Sequence, residues 1–135
     1  YILLPLHKNA LVRDPLTNLL SNNSRIILTE PLNYIEIVSI LKECTFLLTD
    51  SGGLQEEAPT FGKPVLILRN TTERQEGVES GTSILVGTNQ NDVFKKAHEL
   101  LNDHTTYNSM SKKVNPFGDG KASKRIVAIC KNFIS

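Results

Sequence analysis

Ser51, Gly52 and Gly53 follow directly on the apolar run Thr45–Thr49, and two adjacent carboxylates, Glu56 and Glu57, come just after them. A strand that turns into a helix at such a triplet presents the first backbone N–H groups of the helix without intrahelical acceptors, at the positive end of its dipole. Anions bind there. Glycine lets a phosphate oxygen approach a backbone that a Cβ would shield, and the Ser51 hydroxyl can donate to the same oxygen. The chemistry suggested is capture of a phosphate or diphosphate. A carboxylate one to two turns further on can accept hydrogen bonds from the two hydroxyls of a ribose, as the acidic residue of dinucleotide folds does. Neighbouring helical residues point about 100° apart, so at most one of Glu56 and Glu57 faces a cleft fully. A βα turn with an acidic helix start and no ligand fits the same triplet.

The elements needed to position these residues alternate along the chain. Strands are expected at Tyr1–Pro5, Arg25–Thr29, Thr45–Thr49, Pro64–Leu68 and Thr82–Val86. Helices are expected at Asn9–Leu20, Asn33–Cys44, Gly52–Gly62, Asn91–Asn102, Thr106–Lys112 and Asp119–Phe133, with a turn or two of helix around Glu73–Ser80. Leu11, Val12, Leu16, Leu19 and Leu20 form one expected apolar face, and Pro15 is expected to shorten that helix or delay its start. Ile35, Val38, Ile40 and Leu41 form another stripe, capped by Asn33 with Glu36 three residues on. Continuous apolar strands separated by helices imply an α/β fold, a doubly wound parallel sheet of Rossmann-like type covered on both faces. With no internal repeat or linker, residues 1–135 read as a single domain.

The 135 residues suffice for one ordinary core, and 39% of them are hydrophobic. Fifteen basic and 14 acidic side chains leave a net charge of +1, which argues against a nucleic-acid or membrane-surface partner. No apolar run approaches the ~20 residues that span a bilayer. The apolar start lacks a basic leader and a methionine, and reads as a cut through a longer chain rather than a signal peptide. Cys44 and Cys130 read as buried thiols in a reducing cytoplasm.

The longer string "LLTDSGGLQEEAPTFGKPVLILRNTTERQEGVESGT" is more specific than its triplet. It resembles the C-terminal half of the non-hydrolysing UDP-N-acetylglucosamine 2-epimerases. "YILLPLHKNALVRDPL" and "NPFGDGKAS" resemble two further segments of that family, so the similarity covers essentially the whole chain. The resemblance implies the C-terminal, UDP-binding domain of a GT-B-type two-domain architecture. The implied enzyme interconverts UDP-GlcNAc and UDP-ManNAc by eliminating and re-adding UDP, for cell-surface polysaccharide or amino-sugar biosynthesis. It uses no metal or other cofactor, and it works in the cytoplasm as a full-length homodimer.

On the same resemblance, Ser51, Gly52 and Gly53 would hold the diphosphate and Glu57 the ribose hydroxyls. Arg74 would stand beside the phosphates, with Glu73 and Glu76 orienting its loop. His7 matches a histidine associated with a second, regulatory substrate site. The same histidine could simply cap the segment that follows it. The family's acid and base carboxylates lie in its N-terminal domain, so no catalytic residue is assigned here, and the isolated chain is expected to be inactive. Two departures stand out. Asn9 is followed by Ala10 where the family often has proline, and Tyr34-Ile35-Glu36-Ile37 replaces a Tyr-x-x-Phe pattern. The competing reading is the donor-binding domain of a GT-B glycosyltransferase, an architecture shared with different chemistry.

Overall fold

The computed structural model describes residues 1–134, with the side chains described through Phe133. The chain divides into two compact units, residues 1–40 and residues 41 onward. Each contains parallel strands connected through helices, as expected for a parallel α/β class.

In the first unit, β1 (Ile2–Pro5) pairs in parallel with β2 (Ile26–Thr29), Ile2 opposite Ile26 and Pro5 opposite Thr29. The connection is α1 (Ala10–Leu20), whose N-cap Asn9 accepts the Leu11 N–H. Pro15 does not shorten this helix, which runs through it. The carbonyl that loses its donor belongs to Leu11, an exposed residue, so water can take the vacant bond. The expected apolar face of α1 also needs correction. Arg13, Leu16, Thr17 and Leu20 are its half-buried positions, while Leu11 and Leu19 point to solvent. The Arg13 guanidinium forms a two-pronged ion pair with Glu30, just past β2. α2 (Tyr34–Glu43) begins with a reciprocal cap: Asn33 Oδ1 accepts the Glu36 N–H at 3.1 Å, and Glu36 Oε2 accepts the Asn33 N–H at 2.7 Å. Ile35 of the expected stripe is exposed, and Leu41 is the residue of α2 that is fully buried.

The second unit is built on a three-stranded parallel sheet in the order β3 (Leu47–Thr49), β4 (Val65–Ile67), β5 (Ser83–Leu85). Leu47, Val65 and Ser83 share one register, and Thr49, Ile67 and Leu85 another. Val65, Leu66 and Ile67 have no exposed surface, which is what an uninterrupted apolar run in a central parallel strand requires. Leu66 packs with Val86, Leu100 of α5 (Gln90–Asn102) and Met110 of α6 (His104–Ser111).

Between β3 and β4 the chain makes α3 (Gly52–Glu57) and then a 3₁₀ turn (Ala58–Phe61), which together fill the expected helix Gly52–Gly62. Gly62 ends this stretch at φ 64°, and a Cβ there would come within 2.9 Å of the Ser111 carbonyl oxygen. α4 (Gln75–Glu79) supplies the short helix expected in the polar stretch. α7 (Ala122–Ile134) closes the chain, and its residues through Phe133 are exposed. Cys130 lies on it and is therefore not the buried thiol expected. Cys44 is half-buried, and burial pushes its thiol above the ordinary range.

Candidate functional site

β3 delivers the chain to Asp50 and Ser51 at its carboxyl end, where ligands bind in open parallel sheets. Buried Thr49 turns its hydroxyl back to accept the Ser51 N–H at 3.0 Å. Ser51 is extended (φ −77°, ψ 126°) and is the N-cap of α3, and its carbonyl accepts the first helical bond, from Gln55 N–H at 3.2 Å. The N–H groups of Gly52, Gly53 and Leu54 therefore precede the helical ladder. The Ser51 hydroxyl makes no capping bond to them, which leaves it available to a ligand. A Cβ on Gly53 would meet open space within 4 Å. Gly52 is different: a Cβ there would lie 3.2 Å from Arg74 Cζ and 3.3 Å from Arg74 Nη2. The corner and Arg74, 22 residues apart in sequence, are thus brought together.

Arg74 is held in place at both ends. Its backbone N–H donates to Thr72 Oγ1 at 3.1 Å, and that hydroxyl donates to Gln55 Oε1 at 2.7 Å. Gln55 has no exposed surface and Thr72 is 5% exposed, so this bond is buried. The Gln75 side chain donates to the Thr72 carbonyl at 2.6 Å and tightens the same loop. At the other end, Arg74 Nε donates to Glu56 Oε1 at 2.8 Å, and Nη1 lies 3.0 Å from Glu73 Oε1. Glu73 also pairs with Arg69 at 3.1 Å. Its own backbone N–H, followed by the Arg69 and Arg74 charges, holds the Glu73 carboxyl below the usual carboxylate range.

The two adjacent carboxylates consequently differ. Glu56 meets Arg74, whereas Glu57 is half-buried and has no side-chain hydrogen bond or ion pair among the described residues. Of the two carboxylates expected to orient the arginine loop, Glu73 pairs with Arg74 and Arg69, whereas Glu76, in the first turn of α4, is exposed. Gln55 and Thr72 carry no functional signature in sequence. A glutamine beside two glutamates reads as one more polar helical residue, and only its complete burial marks it.

The parallel sheet thus ends in a glycine corner with an arginine held against it. The sequence model of the family described as UDP-N-acetylglucosamine 2-epimerase matches residues 1–131. The chain belongs to this family. Among its relatives, the UDP-N-acetylglucosamine 2-epimerase of Yersinia pestis is 46% identical over 131 residues, 97% of this chain and 35% of that protein. The structure of S. aureus MnaA with UDP matches 98% of this chain and 36% of its own at 48% identity, with a TM-score of 0.92. The UDP-GlcNAc 2-epimerase from Neisseria meningitidis, bound to UDP-GlcNAc, matches 96% of this chain and 36% of its own at 42% identity, with a TM-score of 0.88. The chain thus spans about a third of the length of the relatives it matches. These matches bear out the Rossmann-like, GT-B-type class.

The other 2-epimerase segments have visible structural roles. In "NPFGDG", Asn115 donates to Thr60 Oγ1 at 2.8 Å and accepts the Phe117 N–H at 3.0 Å. The Phe117 ring lies 3.3 Å from where a Cβ on Gly77 would stand, so the segment packs on α4, the helix that Arg74 caps. His7 belongs to the first unit, is exposed, and accepts the Asn9 N–H on Nδ1 at 3.1 Å, the local capping bond that its plainer reading anticipates. Ile37, where the family often has phenylalanine, is half-buried. Among the described residues no cluster could hold a metal ion, and no helix is long and apolar enough to cross a membrane.

Proposed function

We propose that residues 1–135 are the UDP-binding, C-terminal domain of a UDP-N-acetylglucosamine 2-epimerase. Ser51, Gly52 and Gly53 take the diphosphate, Arg74 adds a fixed charge beside it, and Glu57 accepts the ribose hydroxyls. The single observation that carries the reading is the approach of the Arg74 guanidinium to Gly52. It sets a permanent cation against backbone N–H groups that precede the helical ladder. Two negative phosphates need that combination. The UDP-bound relative of nearly identical fold supports the choice of nucleotide, and the UDP-GlcNAc-bound relative supports the sugar.

In this reading the chain binds and orients, and Arg74 stabilises charge as UDP departs from the sugar and returns to it during exchange of UDP-GlcNAc and UDP-ManNAc. The proton-transfer groups come from a second domain facing the same cleft, because chemistry needing groups on both sides of a cleft cannot run on one. The whole enzyme then serves amino-sugar or surface-polysaccharide synthesis in the cytoplasm, as a homodimer. His7 would contribute to a regulatory substrate site. Titrating UDP into the chain while following amide resonances tests the proposal. Shifts centred on Ser51–Gly53, Glu57 and Arg74 are expected, and unchanged resonances there would remove it. Glu57→Gln should weaken UDP several-fold and leave a 2′,3′-dideoxy analogue unaffected.

A further inference from the structure

Glu56 is the member of the carboxylate pair to which the nucleotide reading gives no task. It is also the residue that meets Arg74. We propose that Glu56 is a positioning residue for Arg74, setting the guanidinium so that its remaining edge faces the diphosphate; this rests on the diphosphate reading of the Ser51–Gly53 corner.

A guanidinium is a planar fork, so fixing two of its nitrogens fixes the third. Glu56 Oε1 takes Nε at 2.8 Å, and Glu73 Oε1 takes Nη1 at 3.0 Å. The nitrogen left is Nη2, and it is the one lying against Gly52, 3.3 Å from the position of a Cβ. The two carboxylates differ in what they are anchored to. Glu73 neighbours Arg74 on the same loop and is shared with Arg69. Glu56 projects from α3, the helix whose N-terminal amides would hold the phosphate oxygens. It therefore ties the arginine to the anion site itself, across 18 residues of sequence. Its predecessor Gln55 reaches the same loop through Thr72, so one turn of α3 grips both the backbone and the side chain of Arg74.

Positioning depends on an acceptor oxygen at the Glu56 site more than on its negative charge, which sits close to a dianionic ligand. Variants separate the two effects. Isothermal titration of the chain with UDP should show Glu56→Ala weakening binding about tenfold. Glu56→Gln keeps a carbonyl oxygen within reach of Nε and should restore most of the loss. Glu56→Asp, one methylene short, should fall in the same direction as alanine and serves if alanine does not fold. Uridine, which has no phosphates, should bind all of them alike. In an Arg74→Ala background, Glu56→Ala should change UDP affinity no further.

Unchanged or tighter UDP binding by Glu56→Ala overturns the inference. So does an equal loss for uridine, which would mark a general structural defect, or a loss that persists without Arg74. If the unaltered chain binds no UDP, the diphosphate reading falls and this inference with it. UDP binding that ignores Glu56 removes this inference alone.

Discussion

Gly52→Ala should leave stability almost where it is while removing most of the affinity for a diphosphate. Gly52 lies inside α3 and is not among the glycines with positive φ. Alanine there meets no conformational barrier and gains about 0.5–1 kcal/mol from the reduced freedom of the unfolded chain. Against that, its Cβ would stand 3.2 Å from Arg74 Cζ, 3.2 Å from Glu73 Oε1 and 3.3 Å from Arg74 Nη2. All three are ends of flexible side chains; Arg74 is 32% exposed and Glu73 is 53% exposed. They can retreat by a few tenths of an ångström, disturbing a part-exposed ion-pair network worth about 0–1 kcal/mol per pair. The two contributions nearly cancel, so the unfolding free energy from urea titration should stay within about 1 kcal/mol of the parent. Binding has no such compensation. On the proposed reading, the same methyl displaces the guanidinium and stands where a phosphate oxygen would reach the backbone. Losing one or two charge-assisted hydrogen bonds, at about 1.5–3 kcal/mol each, means a tenfold loss of UDP affinity or more. Calorimetric titration with UDP and with uridine, paired with urea unfolding, reads both quantities. UDP affinity within twofold of the parent would refute the reasoning, as would a stability loss above about 3 kcal/mol.

Gly62→Ala should behave in the opposite way. The backbone is left-handed at φ 64° and the obstacle is the Ser111 carbonyl, a backbone atom that cannot step aside. A loss of about 2–4 kcal/mol in urea unfolding is expected, and a loss under 1 kcal/mol would show that the turn relaxes freely. Gln55→Met keeps the volume but strands the buried Thr72 hydroxyl. It should cost about 1–3 kcal/mol and weaken UDP through the Arg74 loop; unchanged UDP affinity would detach Gln55 from the site. Thiol labelling under native conditions should modify exposed Cys130 first and Cys44 slowly. Burial raises the Cys44 thiol, so the folded chain holds that proton more tightly. Its contribution to stability is complete below the ordinary thiol value of about 8.5 and is lost as pH climbs through the folded value. Cys44→Ala should flatten the alkaline fall in unfolding midpoint, and an identical fall in both proteins would contradict the assignment.

Local signals in this chain were readable because the atoms that satisfy them are close in sequence. Asn33 and Glu36 lie three residues apart, and their reciprocal bonds form as the spacing implies. The apolar run ending at Leu68 yields a strand buried on both faces, since no polar residue in Val65–Ile67 could face water. The signals that misled depend on what lies opposite. Pro15 reads as shortening its helix or delaying the start, yet the lost bond falls at exposed Leu11 and the helix runs through. Cys130 reads as a buried thiol, yet it lies on α7 with Ile126, Val127 and Ile129, each more than half exposed. Amphipathic spacing says that a face can be covered, not that these residues supply the cover.

The site divides along the same line. The turn from strand to helix at Ser51, Gly52 and Gly53 could be read because its parts are contiguous. Whether Glu56 or Glu57 faces the arginine could not be decided from spacing. The 100° between them selects one residue, but which one depends on where the Arg74 loop returns after β4. That return is fixed by the Gln55–Thr72 bond, between side chains 17 residues apart and individually unremarkable. A buried amide whose Nε2 has no partner is an unfavourable thing to keep. Its Oε1 holds the arginine loop against α3, and that gives the residue a reason to be there. If so, an apolar residue shaped like glutamine would relieve the unpaired nitrogen and still harm the protein, because what it removes is the register between the anion corner and its arginine.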